Sequence, residues 1–439
     1  MSAPGILFAL VTAGLLFALP RRWSILPFLI GAAYIPFGQE MEIGPLHFTG
    51  VRILVAVGLL RAVSKGEQLA GGINLLDKLM IFWALWFVCA SAFHEGEAFV
   101  TRLGEIFTDL GIYFLGRIYL QDLDDIRRVF KLICVVFIPL AAILLLEKAT
   151  GKNFFGLIFG GWTEALVRNG HVRAQGPFEH PILAGTVGAA CLPMALYFWR
   201  ENRKLALLGL ASTGSIIVAS ASSGPIMTAL SIFVAMALWK IRSRLRTIRW
   251  TVVVLLIVLN FVMSDPVYFL VARVDIAGGS TGWYRAQLIR SAFEHIDEWW
   301  LAGTDITRDW MPVVINEKNT DITNYYIRMG VWGGLPLMAI FMAILGSAFA
   351  AVGRALRSSA NAPFEQQFLI WTLGAILFGH ATTFFSVSYF DQTVVFLYLL
   401  LAAIGSLGAA VAITAPVESA ANNERIDDKA APEVRLRYE

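Results

Sequence analysis

Apolar runs close to the length of a bilayer-spanning helix recur along the whole chain, from Gly5 to Leu19 through to Thr393 to Ile413. About thirteen such runs can be counted, many near the ~20 residues that a transmembrane helix needs. They are continuous and do not alternate with polar residues, which argues against a transmembrane β-barrel. Spread over 439 residues, a 57% hydrophobic content and a mean hydropathy of +0.66 exceed what a soluble domain of this size needs for its core. The expectation is an all-α polytopic membrane protein of about 12–13 transmembrane helices with two long outer loops.

The first run resembles a signal peptide in length, but its charges, Arg21 and Arg22, follow the apolar stretch, so it reads as a retained helix. Basic residues then mark the inner loops: Arg21 and Arg22, Lys65, Arg127 and Arg128, Arg200 to Lys204, the run from Lys240 to Arg249, and Arg354 with Arg357. By the positive-inside rule the N-terminus lies outside, the C-terminus inside, and Lys148 to His180 and Asp265 to Thr323 form the long outer loops. The same bias accounts for the net charge of +3, which gives no argument for nucleic acid. Three cysteines, all in apolar runs, read as packing and not as disulfides or a metal site.

Residues 1–413 form one integral membrane domain in this reading, followed by a polar tail, 414–439, too poor in large apolar residues to build a core. Within the second outer loop, Thr281 to Trp300 carries Ile289, Phe293, Ile296 and Trp300 at helical spacing. That pattern predicts an amphipathic helix along the membrane surface with tryptophans on its apolar face. Arg285 shares the face of Ile289, where a charge needs a partner or a ligand. Arg290 and Glu294 have the spacing of a surface pair.

Polar residues crowd the outer ends of the helices. Arg173, Glu179 and His180 precede the run that starts near Pro181, and Asp321, Asn324 and Arg328 open the run NYYIRMGVWGGLPL. Cations of this kind can stabilise a diphosphate leaving group, and a carboxylate can take a proton from an incoming hydroxyl. Blander readings stand beside these: Arg173 as a snorkelling interfacial arginine, Asp321 and Asn324 as a helix N-terminus with an acidic cap, Arg328 as the partner of Asp321, and His180 as a loop histidine with a local hydrogen bond. Gly330 and Gly334 have the spacing of helix packing, Ser222 to Pro225 that of a tight turn, and Glu105 with Asp109 reads as held by Arg102. No Walker loop, HExxH or clear metal-ligand spacing is present.

Three ordered blocks carry a resemblance. RAQGPFEHPILAG, STGWYRAQLIRSAFEHIDEWWLAGT and NYYIRMGVWGGLPL resemble those of the O-antigen ligase and O-antigen or exopolysaccharide polymerase superfamily of bacterial inner-membrane proteins, over a core of about 173–337. The resemblance implies a metal-independent glycosyltransferase without cofactor, in the bacterial inner membrane, that acts at the periplasmic face on undecaprenyl-diphosphate-linked glycan. It places Arg173 and Arg285 on the diphosphate; Asn324, Arg328, His180 and Glu179, collected at the same surface by the reading of the residues themselves, are the further candidate substrate contacts. A chain-length regulator or flippase would be a partner in such a system. Family ligases carry a histidine directly before the Asn of the last block, and this chain has Thr323 there. That departure favours polymerisation over ligation and makes Asp321 the candidate base.

Two other classes make different demands. A transporter calls for charges near helix centres and broken helices in paired halves, and mid-membrane charges here are few, His380 the clearest. A non-catalytic assembly subunit would tolerate changes at Arg173 and Arg285.

Overall fold

In the computed structural model, residues 1–44, 46–273 and 282–414 are described; the expected tail and the Ser280-Thr281 start of the middle block lie outside them. The chain is mostly helical. In order it forms α1 (Ala3–Ala18), α2 (Arg21–Tyr34), α3 (Gly50–Ser64), α4 (Leu75–Ser91), α5 (Gly96–Tyr119), α6 (Leu123–Thr150), the short α7 (Phe154–Phe159), α8 (Pro181–Tyr197), α9 (Arg203–Ser220), α10 (Ser223–Ala237), α11 (Leu245–Val262), α12 (Gly282–Glu294), the single turn α13 (Ile296–Trp299), α14 (Tyr325–Ser358), α15 (Phe364–Thr383) and α16 (Thr393–Thr414). Two antiparallel hairpins interrupt the helices: β1 (Glu40–Ile43) with β2 (Leu46–Thr49), and β3 (Leu166–Arg168) with β4 (His171–Arg173).

Helix starts follow the local chemistry of the chain. Asn74 and Asp77 form a reciprocal capping box on α4, while Thr49, Asp122, Asn153, Asn202 and Asn324 accept a first-turn N–H with their side chains. Four helical stretches are long and apolar enough to cross a membrane: Leu123–Thr150, Ser223–Val262, Tyr325–Ser358 and Thr393–Ile413. Others are shorter or charged within: α5 carries Arg102, Glu105, Asp109 and Arg117. By these helices the protein is a membrane protein.

Helix α16 is the central element, apolar on every side and mostly buried. It packs against α5, α14, α15, α8 and α6. Exposed Leu, Ile, Val and Phe side chains cover the outer faces of the peripheral helices, as expected where lipid replaces water. Hydrogen bonds identify two ends of the bundle. At one, the start of α14 meets the end of α15 (Tyr325 N to Phe384 O, 2.8 Å) and the start of α8 meets the start of α16 (Glu179 N to Asp391 Oδ2, 3.0 Å). At the other, Arg21 joins the end of α5 to the start of α6, and Asn74 reaches Gly405 of α16.

The predicted amphipathic helix is broken. Helix α12 stops at Glu294 and a separate turn follows, so the helical phase of the stripe is lost at His295. Ile289 is buried and Ile296 half-buried, but Phe293 and Trp300 are exposed, and Trp299 is the buried tryptophan. The buried face of α12, Leu288, Ile289 and Ala292, packs on Trp299, Trp310, Met311, Ile327 and Val331 of the protein itself. The Arg290–Glu294 pair forms as the spacing predicts, at 3.2 Å.

The Gly330/Gly334 spacing does a different job from helix packing. Helix α14 is interrupted at Gly333 and Gly334, the latter at φ +76, and the Trp300–Thr304 backbone enters the gap: Leu335 N bonds Trp300 O at 2.8 Å and Thr304 N bonds Val331 O at 2.9 Å. A Cβ on Gly334 would lie 2.2 Å from Leu301 O, and one on Gly330 would meet the Trp299 ring at 2.4 Å. Trp86 Nε1 satisfies the Gly333 carbonyl at 2.8 Å, so the break leaves that group paired.

Candidate functional site

The segment between α7 and α8 is built to hold Arg173 in place. Asn169 and Gly170 both take positive φ, the geometry of a two-residue hairpin turn, and return the chain from β3 to β4. Beyond Arg173, Ala174 N bonds Ala219 O at 3.0 Å. Gln175 N and Gly176 N then donate to the two carboxylate oxygens of Glu147, each at 2.9 Å. Gly176 sits at φ +60, where a Cβ would meet Leu144 Cδ1 at 2.5 Å. Its carbonyl accepts from Asn153 Nδ2, and the Pro177 carbonyl accepts from Gln392 Nε2.

So held, Arg173 is buried, 8% exposed. Its Nη2 donates to Ser222 Oγ at 2.7 Å, and Ser222 passes the bond on to Ser220 O. Its Nε is buried without a hydrogen-bond partner. Burial and the nearby Arg168 charge lower this guanidinium from its ordinary pKa. The turn expected at Ser222 is present, and it also anchors the arginine.

Arg285 arrives from α12 and donates its Nε to Ser386 O at 3.1 Å. Burial lowers its pKa, the Arg168 charge acts the same way, and Asp321 opposes both. Asp321 is half-buried and fixed through its backbone: its N–H bonds Val313 O, and its carbonyl accepts Tyr284 Oη at 2.9 Å. Burial raises the Asp321 carboxyl above its ordinary value, against the pull of Arg328 and Arg285. Burial makes this carboxylate a better proton acceptor than an exposed one, and the two arginines only partly offset it.

The helix cap is Asn324, not Asp321. Asn324 is buried, accepts Ile327 N at 3.1 Å and reaches Phe385 O at 3.4 Å, which leaves the Asp321 carboxylate outside the cap. Arg328, one turn on, lies over the Trp332 ring at 4.4 Å and the Phe390 ring at 5.8 Å. Thr323 Oγ1 is buried with no hydrogen-bond partner.

His180 caps α8, its Nδ1 accepting Ile182 N at 3.2 Å, which puts the proton of the neutral ring on Nε2. Burial, then Arg173 and Arg168, lower its pKa to about 4. This arrangement suits a neutral donor and not a base. Glu179 is exposed, and its backbone N–H, not its carboxylate, ties the loop to Asp391.

Arg285, Asp321 and Arg328 therefore act on one another's charges at one end of the bundle, and Arg173, held by Ser222, shares with Arg285 the influence of Arg168. Other charged groups stand apart from these. Asp305 is a staple: it bonds His94 Nδ1 at 2.6 Å and Glu95 N at 2.9 Å, with Arg102 Nη2 at 3.7 Å. Burial alone would raise the Asp305 carboxyl, but those partners hold it below its ordinary value. Arg102 is thus drawn to Asp305 and forms no ion pair with Glu105 or Asp109 among the described residues. The first hairpin brings Glu40, Glu42 and His47 within 4.8 Å of one another, an exposed set that the sequence spacing did not single out.

Three residues that matter to the geometry escape a sequence reading. Glu147 is an acid in the last turn of α6, an unfavourable place for an anion beside a helix C-terminus, and that misfit was the available signal. Asp391 precedes α16 by two residues and bonds Thr393 N at 2.8 Å, a local turn that the Asp-x-Thr spacing announces. Arg168 gave no signal, because only the hairpin turn brings it beside Arg173. No protein-family model matches this sequence, and no curated protein matches it.

Proposed function

We propose that the protein is a membrane glycosyltransferase that joins lipid-linked oligosaccharide units into a polysaccharide at the outer, periplasmic face of the bacterial inner membrane. The observation that carries this reading is the approach of Arg285 and Arg328 to Asp321 from separate segments, with Arg173 at the same end of the bundle, where it and Arg285 both feel the Arg168 charge and its buried Nε–H is left for an acceptor. In the reaction, Asp321 takes the proton of an acceptor hydroxyl as its oxygen bonds the anomeric carbon of the donor sugar. The bond from that carbon to the diphosphate breaks, and undecaprenyl diphosphate leaves with the electron pair. Arg173 and Arg285 neutralise the charge gained by the leaving group, the part a divalent cation takes elsewhere.

Polymerisation has a second lipid-linked chain as acceptor, and ligation a lipid or protein. Thr323, in place of a histidine, favours the former. The test is glycan output and lipid-linked intermediates in a deletion strain complemented at matched expression with wild type, Arg173→Ala, Arg285→Ala or Asp321→Asn. Accumulation of single repeat units with each variant is expected. Wild-type ladders from both arginine variants would remove the diphosphate site and favour a transporter or assembly subunit; full activity in Asp321→Asn would remove the proton acceptor.

A further inference from the structure

We propose that the exposed basic junction between α10 and α11 binds the headgroups of anionic phospholipids at the end of the bundle opposite the candidate site. Lys240, Arg242, Arg244, Arg246 and Arg249 are all exposed, and none forms an ion pair with an acid among the described residues. No acidic residue occurs between Glu201 and Asp265, so the sequence offers these cations no local partner.

The foot of the junction is fixed to the protein. Trp239 packs edge-on against Phe364, Phe368 and Trp371, and Trp371 Nε1 bonds Ala235 O at 3.1 Å. Phe364 opens α15, whose far end meets Tyr325 at the candidate site, and this places the junction at the opposite end.

Helix α11, by contrast, buries no residue at all. Trp250, Val252 to Val258, Phe261 and Val262 are exposed around its whole circumference, which only a hydrocarbon surround tolerates over such a length. A helix in lipid with five unpaired cations at its foot places those cations at headgroup level. Arg242 lies 3.9 Å over the Trp239 ring and Arg249 5.9 Å over that of Trp250, so aromatic side chains hold two guanidinium groups at that depth. Phosphate oxygens of anionic lipids complement the cluster in charge and position.

Topology signalling alone would act during insertion and leave no lipid preference in the folded protein. The experiment uses the full chain purified in detergent and measures by native mass spectrometry the retention of phosphatidylglycerol against phosphatidylcholine. Wild type should prefer phosphatidylglycerol by about tenfold at low salt, and the preference should shrink as salt rises. The combined Arg242→Gln, Arg244→Gln, Arg246→Gln and Arg249→Gln variant should retain both lipids to within about twofold, and the same four positions changed to Lys should restore the preference. Because the junction and α11 bury no side chain, the Gln variant should melt with wild type. Equal retention of the two lipids by wild type, an unchanged preference in the Gln variant, or no rescue by Lys would overturn the proposal. So would stronger displacement of the lipid by inorganic phosphate than by chloride at equal ionic strength, which would assign the cluster to a soluble anion.

Discussion

The two ends of the bundle treat buried arginines in opposite ways. At the basic end, Arg117 is fully buried and uses its donors: Nε and Nη2 on Asp77 at 2.9 and 3.1 Å, Nη2 also on Gly72 O, and Nη1 on Ser406 Oγ. Asp77 is completed by Tyr113 Oη at 2.6 Å and Asn74 N at 2.7 Å. Arg61 likewise bonds the last carbonyls of α1 and the Glu67 carboxylate. At the other end, Arg173 has its one side-chain hydrogen bond to Ser222 and an unpaired Nε. Unsatisfied buried donors are costly, so the saturated Arg117 and Arg61 read as structural joints, and under the proposed function the open Nε of Arg173 is the donor offered to a ligand's acceptor.

The sharpest break of this contrast is at Arg173. Arg173→Gln and Arg285→Gln should each lower transfer by about 100- to 1000-fold, the usual loss when one donor to a developing anion is removed, with melting of the purified protein close to wild type. An activity loss that merely follows the amount of folded protein would make Arg173 a second structural joint. Arg117→Met should behave inversely. It strands the Asp77 carboxylate in the core, and removal of one partner from a buried pair costs about 3–5 kcal/mol. Loss of folded protein from the membrane is the expected readout, and a stable, inactive Arg117→Met protein would erase the distinction between the ends.

Asp321 separates function from stability within the site itself. Burial raises its carboxyl, so the fold favours the protonated form, and ionisation at neutral pH works against stability. Asp321→Asn should therefore melt at or above the wild-type temperature while transfer is lost. In wild type, activity should fall on acidification at a pH above the ordinary carboxylate range, and that limb should vanish in the variant's residual activity. Gly176→Ala sits next in size. At φ +60, with Leu144 Cδ1 2.5 Å from the new methyl group, it should cost about 1–3 kcal/mol through strain and crowding. The loop that carries Arg173 would loosen, and transfer should fall further than stability.

The helical, membrane-spanning character was legible from run length alone, because lipid imposes it on any chain of this pattern. The Arg290–Glu294 pair was legible for the same local reason. What spacing could not reveal was the break after Glu294, which puts Trp300 out of phase with α12 and buries Trp299 instead, or the gap at Gly333 and Gly334 that admits a distant loop. Arg173, Arg285 and Asp321 could be singled out because charge beside an apolar run is a misfit. The approach of Arg285 to Asp321, and the clamp of Glu147 on Gly176, depend on contacts between residues far apart in sequence, which no local pattern encodes.

The smallest expected effect tests the site end by acid. His180 has a folded pKa of about 4 against an ordinary value of 6.5, so between those values the unfolded chain binds more protons than the folded one. Stability then rises with pH: the His180 contribution is present above about pH 6.5 and is lost as the pH falls toward 4. Protonation of Nδ1 would also end its acceptance of the Ile182 N–H. Asparagine caps helices well and does not titrate, so His180→Asn should match wild type at neutral pH to within about 0.5 kcal/mol. Below pH 6 it should melt at a higher temperature than wild type. Identical pH profiles for the two proteins would place the acid sensitivity of this end elsewhere and make His180 an ordinary cap.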